Sequence, residues 1–468
     1  MEKDDHLIKQ VAANKKTKKL KKGKDHQLKW WELSLIGIGS IIGAGYFLGT
    51  GLSIKTAGPS ILFAYLIGGA AAFIVFGALA EMSVQDPDPS SFRGYAKKAF
   101  GHSFGFLSGW IYWVAGVLIM SSEITALSIF TQFWFPHIPL WVFAILYSLI
   151  AFGINLLGVK NFGKIESVFG IIKISALLAF ILFGALFLFG VFSSDHTHTA
   201  LLHKGNETLF PNGLMGFWNS LIFVFFSFGG IGVTGFLSSE LKNKNDTPKA
   251  GSVMLIALTA IYMLSLLFVM TFIPWTDITQ KESPFVTALS VFTIPYIDSI
   301  FNVILITAAF STMAGALYAV TTVMVSLAKD GDAPKRLART NKKDVPVPSL
   351  ILSASGLAMS IIASYFLPDT VYEYLTTAAG ILLILNWVII LASHIKNHPS
   401  YTFEKIKYKL FLYPFTSYLG IILIGAAISG SLFHANQRVG FFISLIIVGL
   451  ILLGYFLAFG RKEARGRF

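Results

Sequence analysis

The chain has 468 residues, 54% of them hydrophobic and only 13% charged, with a mean hydropathy of +0.68. A soluble protein of this length has no interior able to hide so much apolar surface, and the recurring unit is the stretch of about 20 apolar residues that crosses a hydrocarbon core. The net charge of +13 invites a nucleic-acid reading, which its distribution excludes, and the absence of cysteine excludes disulfides and thiolate metal sites.

Residues 1–29 form a basic tail containing "KKTKKLKKGK" and no convincing cleavage site, so the first apolar segment reads as an uncleaved anchor. Twelve spans follow. In the first half they cover residues 33–52, 61–82, 104–130, 140–157, 168–192 and 214–237. In the second half they cover 253–273, 297–327, 350–366, 374–395, 410–432 and 441–459. Assigned to alternate sides, 32 of the 37 Lys and Arg residues fall on the side of the two termini. The positive-inside rule makes that side the cytoplasm, which gives a multi-pass cell-membrane protein with both ends cytoplasmic. The tail serves topology and attracts anionic lipid; no nucleic-acid partner is expected.

The first span carries "LIGIGSIIGAGYFLGTG", with glycines at 37, 39, 43, 45, 49 and 51. Each costs roughly 1 kcal/mol against alanine inside a helix. Close helix packing through small residues is one explanation. The other is an unwound stretch, tolerated at mid-membrane only where it lines a cavity. The sixth span repeats the feature in "FSFGGIGVTGF", five spans later. Broken helices at corresponding positions point to an inverted repeat with a site at the breaks. Five is an odd number, so the second group enters the membrane from the opposite side. A half-helix N-terminus suits a carboxylate and freed carbonyls suit an ammonium, so a zwitterionic amino acid satisfies both.

Charged residues inside spans are few. Glu123, in "IMSSEITAL", reads as the only acid well inside a span. It shares a helical face with Gly116 and Met120, at i, i+4 and i+7. That face borders either the substrate or a neighbouring span. Lys173, in "ESVFGIIKISALLAF", carries a charge costing at least about 2.5–3.5 kcal/mol at the bilayer centre, which marks a functional residue; snorkelling to the nearby span end is the alternative. Glu81 and Glu240 lie at cytoplasmic span ends as gate or structural charges, and His196, His198 and His203 read as a solvated external loop. No GxxxxGK[ST] loop, HExxH helix or nucleophile–base constellation is present, so neither enzyme chemistry nor a cofactor or metal is expected.

"GSIIGAGYFLGTGLSIKTAGPSILFAYLIGG" closely resembles the opening of the amino acid–polyamine–organocation superfamily, in particular its bacterial amino acid permeases. "AEMSVQDPDPSSFRGYA", "GFLSGWIYW", "FSFGGIGVTG" and "SLAKDGDAPKRLARTNKKDVPVPSL" resemble its later signatures in the same order, over about residues 31–374. The resemblance implies an all-α fold of the sodium-coupled leucine-transporter type. Its ten-helix core spans 30–396, with repeats at 30–192 and 214–396, followed by two added helices in 397–460 and a tail at 461–468.

Carried over residue by residue, the likeness implies that Ala44 and Gly45 offer amides to a substrate carboxylate. Carbonyls of Ile41, Phe226 and Gly229 take the ammonium, and the Phe226 ring covers the bound molecule. Lys173 stands where sodium-coupled relatives hold a cation, which makes it the proton carrier, with Ser311 and Thr312 as hydroxyl partners. Two departures matter. Ala44 replaces a frequent Ser or Thr, and Gly232 replaces a frequent Glu, which argues for a neutral substrate. The expected activity is proton-coupled amino acid uptake by alternating access. An exchanger of the same fold is the alternative, ahead of a channel or a membrane enzyme.

Overall fold

The structure, a computed structural model, describes residues 28–463 apart from 89, 158–161, 191–207, 233–234, 236–237, 239–240, 293, 344, 368–369 and 402–407. Glu240, His196, His198, His203 and nearly all of the basic tail lie outside the described residues. The first expected span is two pieces: α1, Trp30–Ile41, and then α2, Ala44–Phe47, running into α3, Gly49–Ala57. There follow α4 (Ile61–Gln85), α5 (Phe92–Phe100), α6 (His102–Gln132), α7 (Leu140–Leu157) and α8 (Phe162–Leu188). The second half holds α9 (Gly213–Phe226), α10 (Thr247–Phe272), α11 (Pro284–Ser290), α12 (Ile297–Asp330) and α13 (Val347–Phe366). The chain closes with α14 (Val371–Asn397), α15 (Phe415–Gly430) and α16 (Ala435–Glu463).

No strand occurs among the described residues, where the sole ladder pairing outside helices is an isolated bridge between Leu28 and Leu241. Among the described residues eight helices are long and apolar enough to cross a membrane, and three shorter apolar ones cover 140–156, 213–226 and 415–430. Backbone polar groups have no water to bond in hydrocarbon, so a helix that satisfies its own is the economical solution. Helices α4, α6, α12 and α14 form the packed centre, with α6 against both α12 and α14 and α10 against α4. In contrast α16 turns Phe442, Ile446, Leu450, Leu453, Phe456 and Leu457 outward, each more than half exposed, the pattern of a lipid-facing helix.

Glycine explains how the helices approach. A Cβ on Gly39 would lie 2.9 Å from the Glu166 carbonyl, and one on Gly170 would lie 2.8 Å from the Leu35 carbonyl. These two residues therefore set the close crossing of α1 on α8, the small-residue packing expected for part of the glycine pattern. On one side of the bundle Arg93 ties the α12 terminus to α5. Its guanidinium donates to Asp332 at 2.9 Å, to Ser326 at 3.0 Å and to Asp330. His102 Nε2 lies 2.6 Å from the second oxygen of Asp332, and Trp110 Nε1 donates to its carbonyl at 3.2 Å.

Candidate functional site

Helix α1 ends because Ile42 and Gly43 are extended, with φ/ψ of −72°/105° and −145°/−161°. Neither φ requires glycine. Space does: a Cβ on Gly43 would lie 2.5 Å from Glu123 Oε1 and 2.8 Å from the Thr312 side chain. The break frees backbone groups that an intact helix would pair internally, and side chains take them up. Lys173 Nζ donates to the Gly39 carbonyl at 2.6 Å, and the Thr312 hydroxyl donates to the Ile42 carbonyl at 3.0 Å. The Ala44 N–H lies 3.1 and 3.0 Å from the two carboxylate oxygens of Glu123. The Ser227 hydroxyl donates to the Gly45 carbonyl at 2.9 Å, and the Tyr372 hydroxyl adds a second donor at 2.9 Å to the Ala44 carbonyl, which already accepts from the Leu48 N–H. All of these side chains are buried.

The second break meets the first. Helix α9 stops at Phe226, and the Gly229 N–H turns back to the Phe226 carbonyl at 2.9 Å. That carbonyl is therefore already engaged. A Cβ on Gly230 would lie 2.7 Å from the Ser40 carbonyl, so the two interrupted segments touch backbone to backbone. Behind them Tyr46 stacks on Tyr262 with ring centroids 3.6 Å apart, and the Tyr46 hydroxyl donates to the Tyr262 carbonyl at 3.0 Å.

A cavity opens where the breaks meet. Ile41, Gly45, Gly116, Glu123, Phe226, Gly229 and Thr312 line it together with Ser40, Tyr112, Ile119, Val320 and Leu383, so most of its wall is apolar. Seven of the residues expected at a site thus share one cavity. Ala44 and Met120 are fully buried beside it and are not among its lining residues, and the Ala44 amide expected to face a substrate carboxylate holds Glu123 instead. Gly232 packs against Tyr112, whose ring would lie 2.9 Å from a Cβ there.

Lys173 is fully buried behind the cavity wall. Its Nζ donates to Thr312 Oγ1 at 2.8 Å in addition to Gly39, and it lies 3.8 Å from Glu166 Oε1. The Ser311 hydroxyl, within 3.2 Å of both Glu166 oxygens, completes the group. Snorkelling is excluded by these partners. Glu123 is not the only acid inside a helix: α8 begins at Phe162, earlier than expected, and carries the buried Glu166 on the same face as Lys173, seven residues on. Glu81, also fully buried in α4, contacts His394, His398 and the Leu410 N–H and does not line the cavity.

Relatives place this architecture. The amino acid permease family matches residues 32–465. The chain is 40% identical over 439 residues to the uncharacterized transporter YcgH of Bacillus subtilis (strain 168), covering 93% of this chain and 96% of the relative. It is 33% identical over 442 residues to the aromatic amino acid transport protein AroP of Escherichia coli (strain K12), covering 94% and 96%. Among solved structures, a manganese transporter from Eremococcus coleocola superposes with a TM-score of 0.60 at 13% identity, covering 92% of this chain and 94% of the other, a likeness of fold alone. An all-helical membrane chain with interrupted helices around a buried cavity, matched nearly end to end by permeases, is a transporter and no enzyme: the chain belongs to the amino acid permease family of the amino acid–polyamine–organocation superfamily.

Proposed function

We propose that this transporter takes up a neutral amino acid with an apolar side chain across the cell membrane, by alternating access coupled to protons. In this reading twelve spans carry two inverted five-helix repeats, and both termini are cytoplasmic. The observation that carries it is the cavity at the two helix breaks, with apolar walls of Tyr112, Ile119, Phe226, Val320 and Leu383 and freed backbone groups at one end. A neutral side chain fits walls that offer no charge beyond Glu123, and Gly232 supplies none. The AroP relatives are named for aromatic amino acids, so phenylalanine, tyrosine and tryptophan are the first substrates to test.

The coupling ion is the proton. A buried ammonium bridges Gly39 on α1 and Thr312 on α12, tying the first break to a helix across the cavity. Protonated, Lys173 holds those elements together. Deprotonated, it has one donor fewer and the tie weakens, so proton release favours the change of facing. Uptake of labelled amino acids into proteoliposomes, with and without an inward pH gradient, tests the proposal. Concentrative uptake driven by the gradient supports it. Uptake that instead requires amino acid inside the vesicles establishes exchange and sinks the coupling step.

A further inference from the structure

Away from the cavity, Glu81 of α4 meets His394 of α14 and His398 of the short turn that follows it, and all three side chains are buried. His394 and His398 stand four residues apart, which places two imidazoles on one face as in helical zinc motifs. One ligand atom from each of the three residues lies within 4.8 Å of the others. His394 Nε2 is 3.3 Å from Glu81 Oε2, and His398 Nδ1 is 2.7 Å from Glu81 Oε1. Zinc bonds of 2.0–2.2 Å in a tetrahedral array put neighbouring ligand atoms about 3.4 Å apart. The first spacing matches, and the second opens by well under an ångström when the His398 ring tilts.

The decisive atom is His394 Nε2. It is buried and finds no hydrogen-bond partner, although a carboxylate oxygen stands 3.3 Å away. A proton on Nε2 is therefore misdirected, and a lone pair there faces a carboxylate. Either arrangement leaves Nε2 without a well-aligned hydrogen bond, with only charge attraction to the carboxylate when it is protonated. A cation between the three groups resolves it. The surroundings hold the ligands as metal sites do: His394 Nδ1 contacts the Ser417 hydroxyl at 3.1 Å, and the Leu410 N–H donates to Glu81 Oε2 at 2.6 Å. The Tyr413 ring stacks on His398 with centroids 3.5 Å apart.

We infer that Glu81, His394 and His398 form a binding site for a divalent transition metal, zinc by the chemistry of two imidazoles and one carboxylate. Ligands from α4 and α14, with Ser417 of α15 in support, make the ion a clamp between the transport core and the helices that follow it. This site is separate from the cavity and does not depend on what the transporter carries.

The test uses the full chain, purified in detergent without a polyhistidine tag, loaded with Zn²⁺, desalted and assayed for metal content. A background with His196, His198 and His203 changed to Asn removes the other histidine-rich segment. About one zinc per chain is expected in both backgrounds, with His398→Gln weakening affinity by more than about tenfold. Co²⁺ loading of the unsubstituted chain should give the intense visible absorption of a tetrahedral site, a readout that stands even where a variant fails to fold. A chain that emerges metal-free and shows no such band overturns the assignment. Zinc retained equally by folded His398→Gln, or lost on changing the other three histidines, overturns it as well.

Discussion

Replacing Lys173 by Met keeps most of the side-chain volume and removes Nζ. The structure says what is left behind. The Gly39 carbonyl loses its donor at 2.6 Å, Thr312 loses its at 2.8 Å, and the buried Glu166 loses the cation 3.8 Å away. Removing one partner of a buried ion pair costs about 3–5 kcal/mol, mostly through the charge left uncompensated, and an unpaired buried carbonyl adds about 1–3 kcal/mol. Gly39 is buried and does not line the cavity, so both costs stand and Lys173→Met should destabilise by about 4–8 kcal/mol. Glu166→Gln in the same chain removes the stranded charge and still accepts from Ser311, so the double variant should recover at least about 2 kcal/mol, a coupling within the range for residues in contact. Thermal unfolding in detergent reads both. Proteoliposome uptake then separates stability from coupling: the rescued double variant should fold, bind substrate and fail to concentrate it under a pH gradient. Wild-type accumulation by that double variant would refute the role of Lys173 as proton carrier. An undiminished melting temperature in Lys173→Met alone would show that the buried group contributes no net stability.

Gly43→Ala places a methyl group 2.5 Å from Glu123 Oε1. Substrate binding should fall and stability drop by about 1–3 kcal/mol, whereas Gly49→Ala, with nothing nearer than 3.5 Å, should be neutral or stabilising by up to about 1 kcal/mol in melting experiments. Gly232→Glu should move competition profiles toward basic amino acids once the Tyr112 ring, 2.9 Å from the new Cβ, swings aside; an unchanged profile would remove position 232 from the specificity set. Asp332→Ala removes one of the two carboxylates that hold Arg93 and the one beside His102, leaving Arg93 with Asp330 and Ser326, and should cost about 1.5–3 kcal/mol, read as a lower unfolding midpoint. Glu123→Gln should tighten substrate binding about tenfold, since a neutral amide competes less well than a carboxylate for the Ala44 N–H; weaker binding would place Glu123 against the substrate ammonium instead.

Much of this was legible because the membrane simplifies the sequence. Apolar runs mark helices directly, and a glycine cluster in the middle of one has few meanings. Both meanings offered for that cluster hold, at different residues: Gly39 packs α1 on α8, while Gly43 sits at the break. What escaped was pairing, both within one helix and across long separations. Glu166 stands in "NFGKIESVFG", whose charges read as a loop, so its partnership with Lys173 was invisible until α8 was seen to begin at Phe162. Its heptad spacing from Lys173 was the available signal. Ser227 and Tyr372, which donate to the carbonyls of Gly45 and Ala44, carry no signal at all, because nothing in a sequence says which of many hydroxyls meets a broken helix. Glu81 was legible as a gate or structural charge at a span end, but its histidines lie in a distant helix and turn.

The engaged groups around the first break bear on how a carrier of this kind avoids holding its cargo too tightly. With Glu123 on the Ala44 amide, Lys173 on Gly39 and Thr312 on Ile42, the site does not present these groups bare. A substrate carboxylate that takes the Ala44 amide therefore exchanges one anion for another, and the net gain is the difference between two similar charge-assisted bonds, not the full value of either. Under the proposed function, affinity then comes mainly from the apolar walls, which discriminate by shape. A ligand shifts a conformational equilibrium only by its differential affinity for the two states. In the proposed mechanism that difference arises at Gly43, where Glu123 and Thr312 both press against the break and Lys173 donates to Thr312. In the proposed mechanism, binding at the amide and protonation at the lysine act on the same short interruption of α1, an element through which both can bias the facing of the carrier.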